Sequence, residues 1–288
     1  MARVACSPLN WTDPLYEHVL DGVAGAGYAG VEAHRQALAD FAGQPGRLRG
    51  LLEERSLTLT AVPFAATYFE REEWKDEAER LRRLADFLAE VTPEGIIVFR
   101  TVPHPARRDM QAGVPPLLPL DSNRMGYLAE TLNRYGDVCL SFGLRAAVAN
   151  RVGSFLETPD EMNAVLERTE PELVHLAPDV GHWVYAGGAP STLIRTLRDR
   201  LLYPRLKDFD RAVFERICAE HLGFPSFVRA GGFKELGAGD LDLAAELMPL
   251  ENADWGGWVC AELEMSETHT PRESATISRE FLRERLHW

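Results

Sequence analysis

Short apolar runs, often β-branched, alternate along this 288-residue chain with longer stretches whose apolar positions recur every three to four residues. The short runs predict strands at Arg3–Cys6, Gly30–Ala33, Leu57–Pro63, Gly95–Thr101, Leu144–Ala149, Leu173–Pro178, Leu201–Leu206 and Trp258–Leu263. The stretches between them, such as "EEWKDEAERLRRLADFLAEV" and "NRMGYLAETLNRYGDVCLSFG", predict amphipathic helices. Helix starts carry their usual signals: "TPDEM" offers Thr158 as N-cap, Pro159 in the first turn and Glu161 three positions on. Strand–helix alternation predicts a parallel sheet. Eight units, with strands at both ends of the chain, predict closure into a (β/α)8 TIM barrel, one α/β domain over residues 1–288. No GxGxxG follows the first strand, which disfavours an open dinucleotide-binding sheet.

Two stretches break the pattern. Residues 101–122 are rich in proline and residues 223–240 in glycine. In a barrel they follow strands four and seven, on the face where active sites form, and are candidate lid or substrate loops. Composition narrows the partners. A net charge of −13 argues against nucleic acid or an anionic membrane surface. No apolar run approaches the roughly 20 residues of a membrane span, and the first residues lack a leader's charged and apolar regions, so a cytoplasmic protein is expected. Cys6, Cys139, Cys218 and Cys260 form no CxxC pair and read as thiols rather than a zinc ribbon.

The predicted strand exits gather chemistry. Glu32, His34, Arg100, Arg151, Asp179, His182, Arg205, Lys207, Glu262 and Glu264 would all face one bowl. Alternate residues of a strand share a face, so Arg205 points with Lys207 and Glu262 with Glu264. Burying so many charges at one end requires mutual pairing or a ligand.

Six stretches carry a family resemblance: "SPLNWT" (7–12), "AGYAGVEA" (26–33), "GSFLETPDEM" (153–162), "PELVHLAPDVGHWVYAGGAP" (171–190), "RLKDF" (205–209) and "GGWVCAELE" (256–264). They resemble the xylose-isomerase-like TIM barrels of the sugar phosphate isomerase/epimerase superfamily, in the pattern of inosose dehydratases. The resemblance implies one divalent metal held by four side chains at the ends of strands five to eight. It places the strand-six ligand at Asp179, the strand-eight ligand at Glu262 and a substrate-contacting histidine at His182. The other two ligand positions depart from the pattern. Where it has His-x-His on strand five, this chain has Ala149-Asn150-Arg151. Where it has His-x-His-Leu-Lys-Asp on strand seven, this chain has Tyr203-Pro204-Arg205-Leu206-Lys207-Asp208.

Arginine stays protonated and offers no lone pair, so neither Arg151 nor Arg205 can ligate a cation. The expectation is therefore a site without a cofactor, in which the two guanidinium groups take the metal's electrostatic role. Its function would be that of a sugar or cyclitol isomerase, epimerase or dehydratase-like lyase working by proton abstraction beside a carbonyl. Glu262 is the expected base and His182 or Lys207 the acid, with Asp179 beside them; Trp11, Glu32, His34 and Arg100 would line the substrate pocket. Two alternatives stay open. One is a repurposed barrel binding an anionic small molecule. The other is a metal enzyme that keeps Mn, Co, Zn or Mg on Asp179 and Glu262, with His182, Glu264 or water. The resemblance also allows a homodimer.

Overall fold

The computed structural model describes residues 2–33, 35–70, 72–251 and 255–288. The strands, in chain order, are β1 Arg3–Ser7, β2 Gly30–Glu32, β3 Thr58–Ala66, β4 Ile96–Thr101, β5 Arg145–Val148, β6 His175–Leu176, β7 Arg205–Leu206, β8 Asp208–Phe209, β9 Phe233–Lys234 and β10 Trp258–Glu262. Eight of them pair in parallel in the order β6-β5-β4-β3-β2-β1-β10-β7. The two outer strands then meet. Single parallel bridges join Leu176 to Leu201 and Asp179 to Arg205. The Arg205 N–H donates to the Pro178 carbonyl at 2.8 Å. The sheet thus closes into the expected barrel, and all eight predicted strands are present in it.

Helices Trp74–Val91 and Ser122–Ser141 bury one apolar stripe each, through Leu81, Ala85 and Leu88 in the first and Leu128, Leu132 and Tyr135 in the second. Thr158 and Glu161 cap helix Pro159–Leu166 reciprocally, as the spacing predicts. Cys6, Cys139 and Cys260 are buried and Cys218 is half-buried, all as free thiols. Among the described residues no helix is long and apolar enough to cross a membrane.

The barrel interior explains how the site is placed. Its apolar floor is Ala5, Ala61, Ile96, Val98, Ala147, Ala149, Ala177, Leu202, Tyr203, Trp258 and Cys260. Small residues on some strands make room for large ones on others. A Cβ on Gly30 would come within 2.7 Å of the Trp258 ring. Following the two-residue repeat upward, the floor becomes a charged layer: Ile96 and Val98 lead to Arg100, Trp258 and Cys260 to Glu262, and Tyr203 to Arg205 and Lys207.

The glycine-rich stretch holds more regular structure than its composition suggests. It contains helix Phe224–Arg229 and β9, which pairs antiparallel with β8. The buried Asp208 carboxylate fixes the following turn by accepting from the N–H groups of Phe209, Gly237 and Leu241 at 2.8, 3.0 and 3.1 Å. The proline-rich stretch carries a short helix, Pro105–Arg108.

Candidate active site

At the strand ends the charged side chains pair with one another. The Lys207 ammonium, fully buried, stands 2.9 Å from Asp179 Oδ2, 2.9 Å from Glu262 Oε1 and 2.6 Å from Glu264 Oε1. A lysine has three N–H donors, and here three carboxylates surround them. Arg205, also fully buried, reaches Glu32 Oε2 at 2.5 Å and closes on Glu262 Oε2, while its Nε lies 3.9 Å from Asp179. Arg100 stands further off, 3.5 Å from Glu32 and 3.9 Å from Glu262. Arg151 lines the same bowl, and its side chain has no hydrogen bond or ion pair within 4.0 Å among the described residues. Four cations (Arg100, Arg151, Arg205, Lys207) thus face four carboxylates (Glu32, Asp179, Glu262, Glu264). The space left among them is about 10 Å³.

Local structure sets each side chain. Asn150, at the end of β5, clasps the Asp179 backbone by accepting from its N–H at 2.8 Å and donating to its carbonyl at 3.1 Å. Asp179 caps helix Val180–Tyr185 by accepting from the His182 N–H. Gly181 leaves passage for the lysine stem, since a Cβ there would meet Lys207 Cγ at 2.3 Å. The ammonium then lies 4.9 Å from the centre of the Phe233 ring.

His182 is held in one tautomer. The Val152 N–H donates to its Nδ1 at 3.2 Å, so the ring proton belongs on Nε2, which faces Glu264 Oε1 at 3.2 Å. Burial pushes the imidazole below its ordinary value despite Asp179, which keeps it neutral. Burial alone would raise the Asp179 and Glu264 carboxyls. Lys207 leads the groups that outweigh it, holding Asp179 well below the usual carboxylate range and Glu264 down to about 2. Burial, then the like charge of Arg100, pushes Arg151 below its usual value.

The structure brings together Glu32, Arg100, Arg151, Asp179, His182, Arg205, Lys207 and Glu262. Trp11 lies elsewhere, packed on Gly22 and lining a separate void of about 20 Å³ beside Glu262. His34 falls outside the described residues. Sequence reasoning gave Glu264 no lead role, although its spacing from Glu262 was the available signal. Phe224 and Phe233, whose rings flank His182 at 5.2 and 5.4 Å, come from the glycine-rich stretch and left no signal.

A family model described as "Xylose isomerase-like TIM barrel" matches residues 20–285. The chain belongs to that family. It is similar to the inosose dehydratase of Geobacillus kaustophilus (strain HTA426), at 26% identity covering 99% of this chain and 95% of that one. Among solved structures it is similar to a xylose isomerase domain protein from Alicyclobacillus acidocaldarius, with TM-score 0.75 and 18% identity, covering 100% of this chain and 99% of that one. Another is an IOLI protein with a bound zinc atom, TM-score 0.74 and 12% identity, covering 98% and 96%.

Of the four ligand positions that the resemblance assigns in this xylose isomerase-like barrel, two do not fit a divalent cation. Two of the positions the resemblance assigns to ligands are guanidinium groups without a lone pair. The two carboxylates that remain, Asp179 and Glu262, share the Lys207 ammonium at 2.9 Å each. A dication between them would have to displace that ammonium and face Arg205 as well. Two such like charges about 4 Å apart repel by about 4 kcal/mol per unit pair at an effective dielectric near 20. The resemblance led us to expect Arg151 and Arg205 beside the two carboxylates; Arg205 closes on Glu262 and lies 3.9 Å from Asp179, Lys207 stands between the two, and Arg151 pairs with neither.

Proposed function

We propose that this chain is a metal-independent isomerase, epimerase or dehydratase-like lyase that moves a proton beside the carbonyl of a keto-sugar, cyclitol or related polyol. One observation carries the reading: the Lys207 ammonium among Asp179, Glu262 and Glu264. Side-chain cations then hold the floor's carboxylates together and leave Arg151 free to donate to an oxygen that gains charge in the reaction. The similarity to an inosose dehydratase supports a substrate of the keto-cyclitol class.

In this scheme Arg151 and Arg100 bind the substrate's carbonyl oxygen at the mouth of the bowl. Glu262 takes the proton from the adjacent carbon once its contact with Lys207 opens. Glu262, now the acid, returns that proton, either to a carbon of the enediolate or to a departing hydroxyl, while His182 donates its Nε2 hydrogen bond to the oxygen that gains charge. Asp179 and Glu264 hold the Lys207 side chain in place. The test is Glu262→Gln: turnover of the true substrate is lost while ligand binding persists.

A second reading draws on Glu262 itself. Both of its oxygens are engaged, one by Lys207 and one by Arg205, so neither is free to take a proton from carbon. A repurposed barrel would use Arg100 and Arg151 only to bind an anionic small molecule. Binding abolished by Arg151→Gln, with no turnover across a panel of keto-sugars and polyols, would establish this second reading over the first.

A further inference from the structure

Beside the collapsed bowl lies a cleft of about 650 Å³, within the range of about 300–1,000 Å³ typical of small-molecule sites. One wall is the proline-rich stretch, another the segment after β5, and the third the end of helix Val180–Tyr185 with Phe214 and Phe224. Its shape is built in. The buried Arg107 guanidinium donates to the carbonyls of Leu117, Leu118 and Ser154 and to the Glu161 carboxylate. That clamp fastens the proline-rich wall to the wall opposite, and it neutralises Arg107.

Two polar groups in this cleft are left incomplete. Tyr185 is 7% exposed, and its ring is wedged among Phe214, Phe224 and Phe227, each at 5.2 Å. Its hydroxyl has no hydrogen-bond partner among the described residues. A buried hydroxyl without a partner is unfavourable unless a ligand completes it. Glu157 accepts from the Gly153 N–H through Oε2 at 3.1 Å, and its Oε1 accepts nothing among the described residues. Burial raises its carboxyl to about 7, so it can both donate and accept near neutrality. The unneutralised charge in the cleft, from Glu157 and Asp160, is acidic. Aromatic and proline walls with an unpaired hydroxyl and a carboxyl suit the apolar face and hydroxyls of an uncharged ring, and disfavour an anion. The cleft also abuts the bowl. Phe224 and Val152 line it, and they contact the two sides of His182.

We infer that this cleft is a subsite for a second, uncharged hydroxylated ring, contacted by Tyr185 and Glu157. The substrate is then a glycoside-like molecule of two rings, with its reacting carbonyl at the bowl. This rests on the function proposed above only for what happens at the bowl. Saturation-transfer NMR on the full chain, with methyl β-glucopyranoside and its glucuronate counterpart as probes, tests it. The expected result is binding of the glucoside, weakened about 5- to 10-fold in Tyr185→Phe and in Glu157→Gln, unchanged in Arg151→Gln, and weaker for the glucuronate. Tyr185→Phe keeps the ring cluster, so a folded variant is expected. No glucoside binding, equal binding by Tyr185→Phe and the parent chain, or preference for the glucuronate would overturn the subsite. Because turnover is not the readout, glucoside binding through Tyr185 in a chain without activity would sink the proposed reaction alone. Turnover of a single-ring substrate, indifferent to Tyr185→Phe and without glucoside binding, would sink the subsite alone.

Discussion

Two neighbouring regions of this barrel use polar groups in opposite ways. In the bowl, four cations and four carboxylates meet mostly within 4 Å and leave about 10 Å³. In the cleft, about 650 Å³ is open, one charge pair is confined to the wall, and a buried hydroxyl lacks a partner. A region whose charges pair with each other is expensive to alter by halves, although Arg205 Nε and Glu264 Oε2 have no hydrogen-bond partner among the described residues. A region with unsatisfied groups in a firm frame is ready for a ligand. Arg151 belongs to the bowl by position and to the second kind by its lack of partners.

The sharpest way to break this contrast is Lys207→Met. It leaves Asp179, Glu262 and Glu264 facing each other, and chemical denaturation should register a loss of about 3–5 kcal/mol. Adding Glu264→Gln should return part of that loss, because the two sites share one network. Arg151→Gln should do the reverse. Stability should stay within about 1 kcal/mol of the parent, while turnover of the true substrate falls about 10²- to 10³-fold.

Acid should attack the bowl first. The Glu264 carboxyl sits at about 2 in the fold against an ordinary 4.5, and Asp179 is also lowered. Between those values the unfolded chain binds the proton more readily than the fold does. Stability is therefore full above pH 5 and is lost as pH falls from about 5 toward 2. Denaturation followed against pH should show that slope, and Lys207→Met should flatten it.

Gly181→Ala sharpens the comparison from the backbone side. The added methyl meets the lysine stem, so a loss of about 1–3 kcal/mol is expected. Tyr185→Phe should have the smallest effect, within about 0.5 kcal/mol in stability, because its hydroxyl already lacks a partner.

The barrel and the membership of the bowl were legible because a strand's two-residue repeat carries one face from floor to rim. Once Val98 and Cys260 are inward, Arg100 and Glu262 must follow them. Pairing was not legible, because it depends on side-chain reach across the barrel. Arg205 and Lys207 share a strand face, yet one runs to Glu32 and the other to Glu264, and Gly181 decides the second path. The cleft was hidden for a different reason. Tyr185 in "WVYAGG" reads as an ordinary core aromatic, and its lack of a partner exists only once Phe214, Phe224 and Phe227 surround it.

The central claim is that side-chain cations occupy the place a divalent metal would take. Metal analysis of the protein purified from metal-replete cells tests it most directly. The account predicts no stoichiometric divalent metal, and a melting temperature and turnover indifferent to chelator. One equivalent of tightly bound manganese, cobalt or zinc, removed by chelator together with activity, would contradict it.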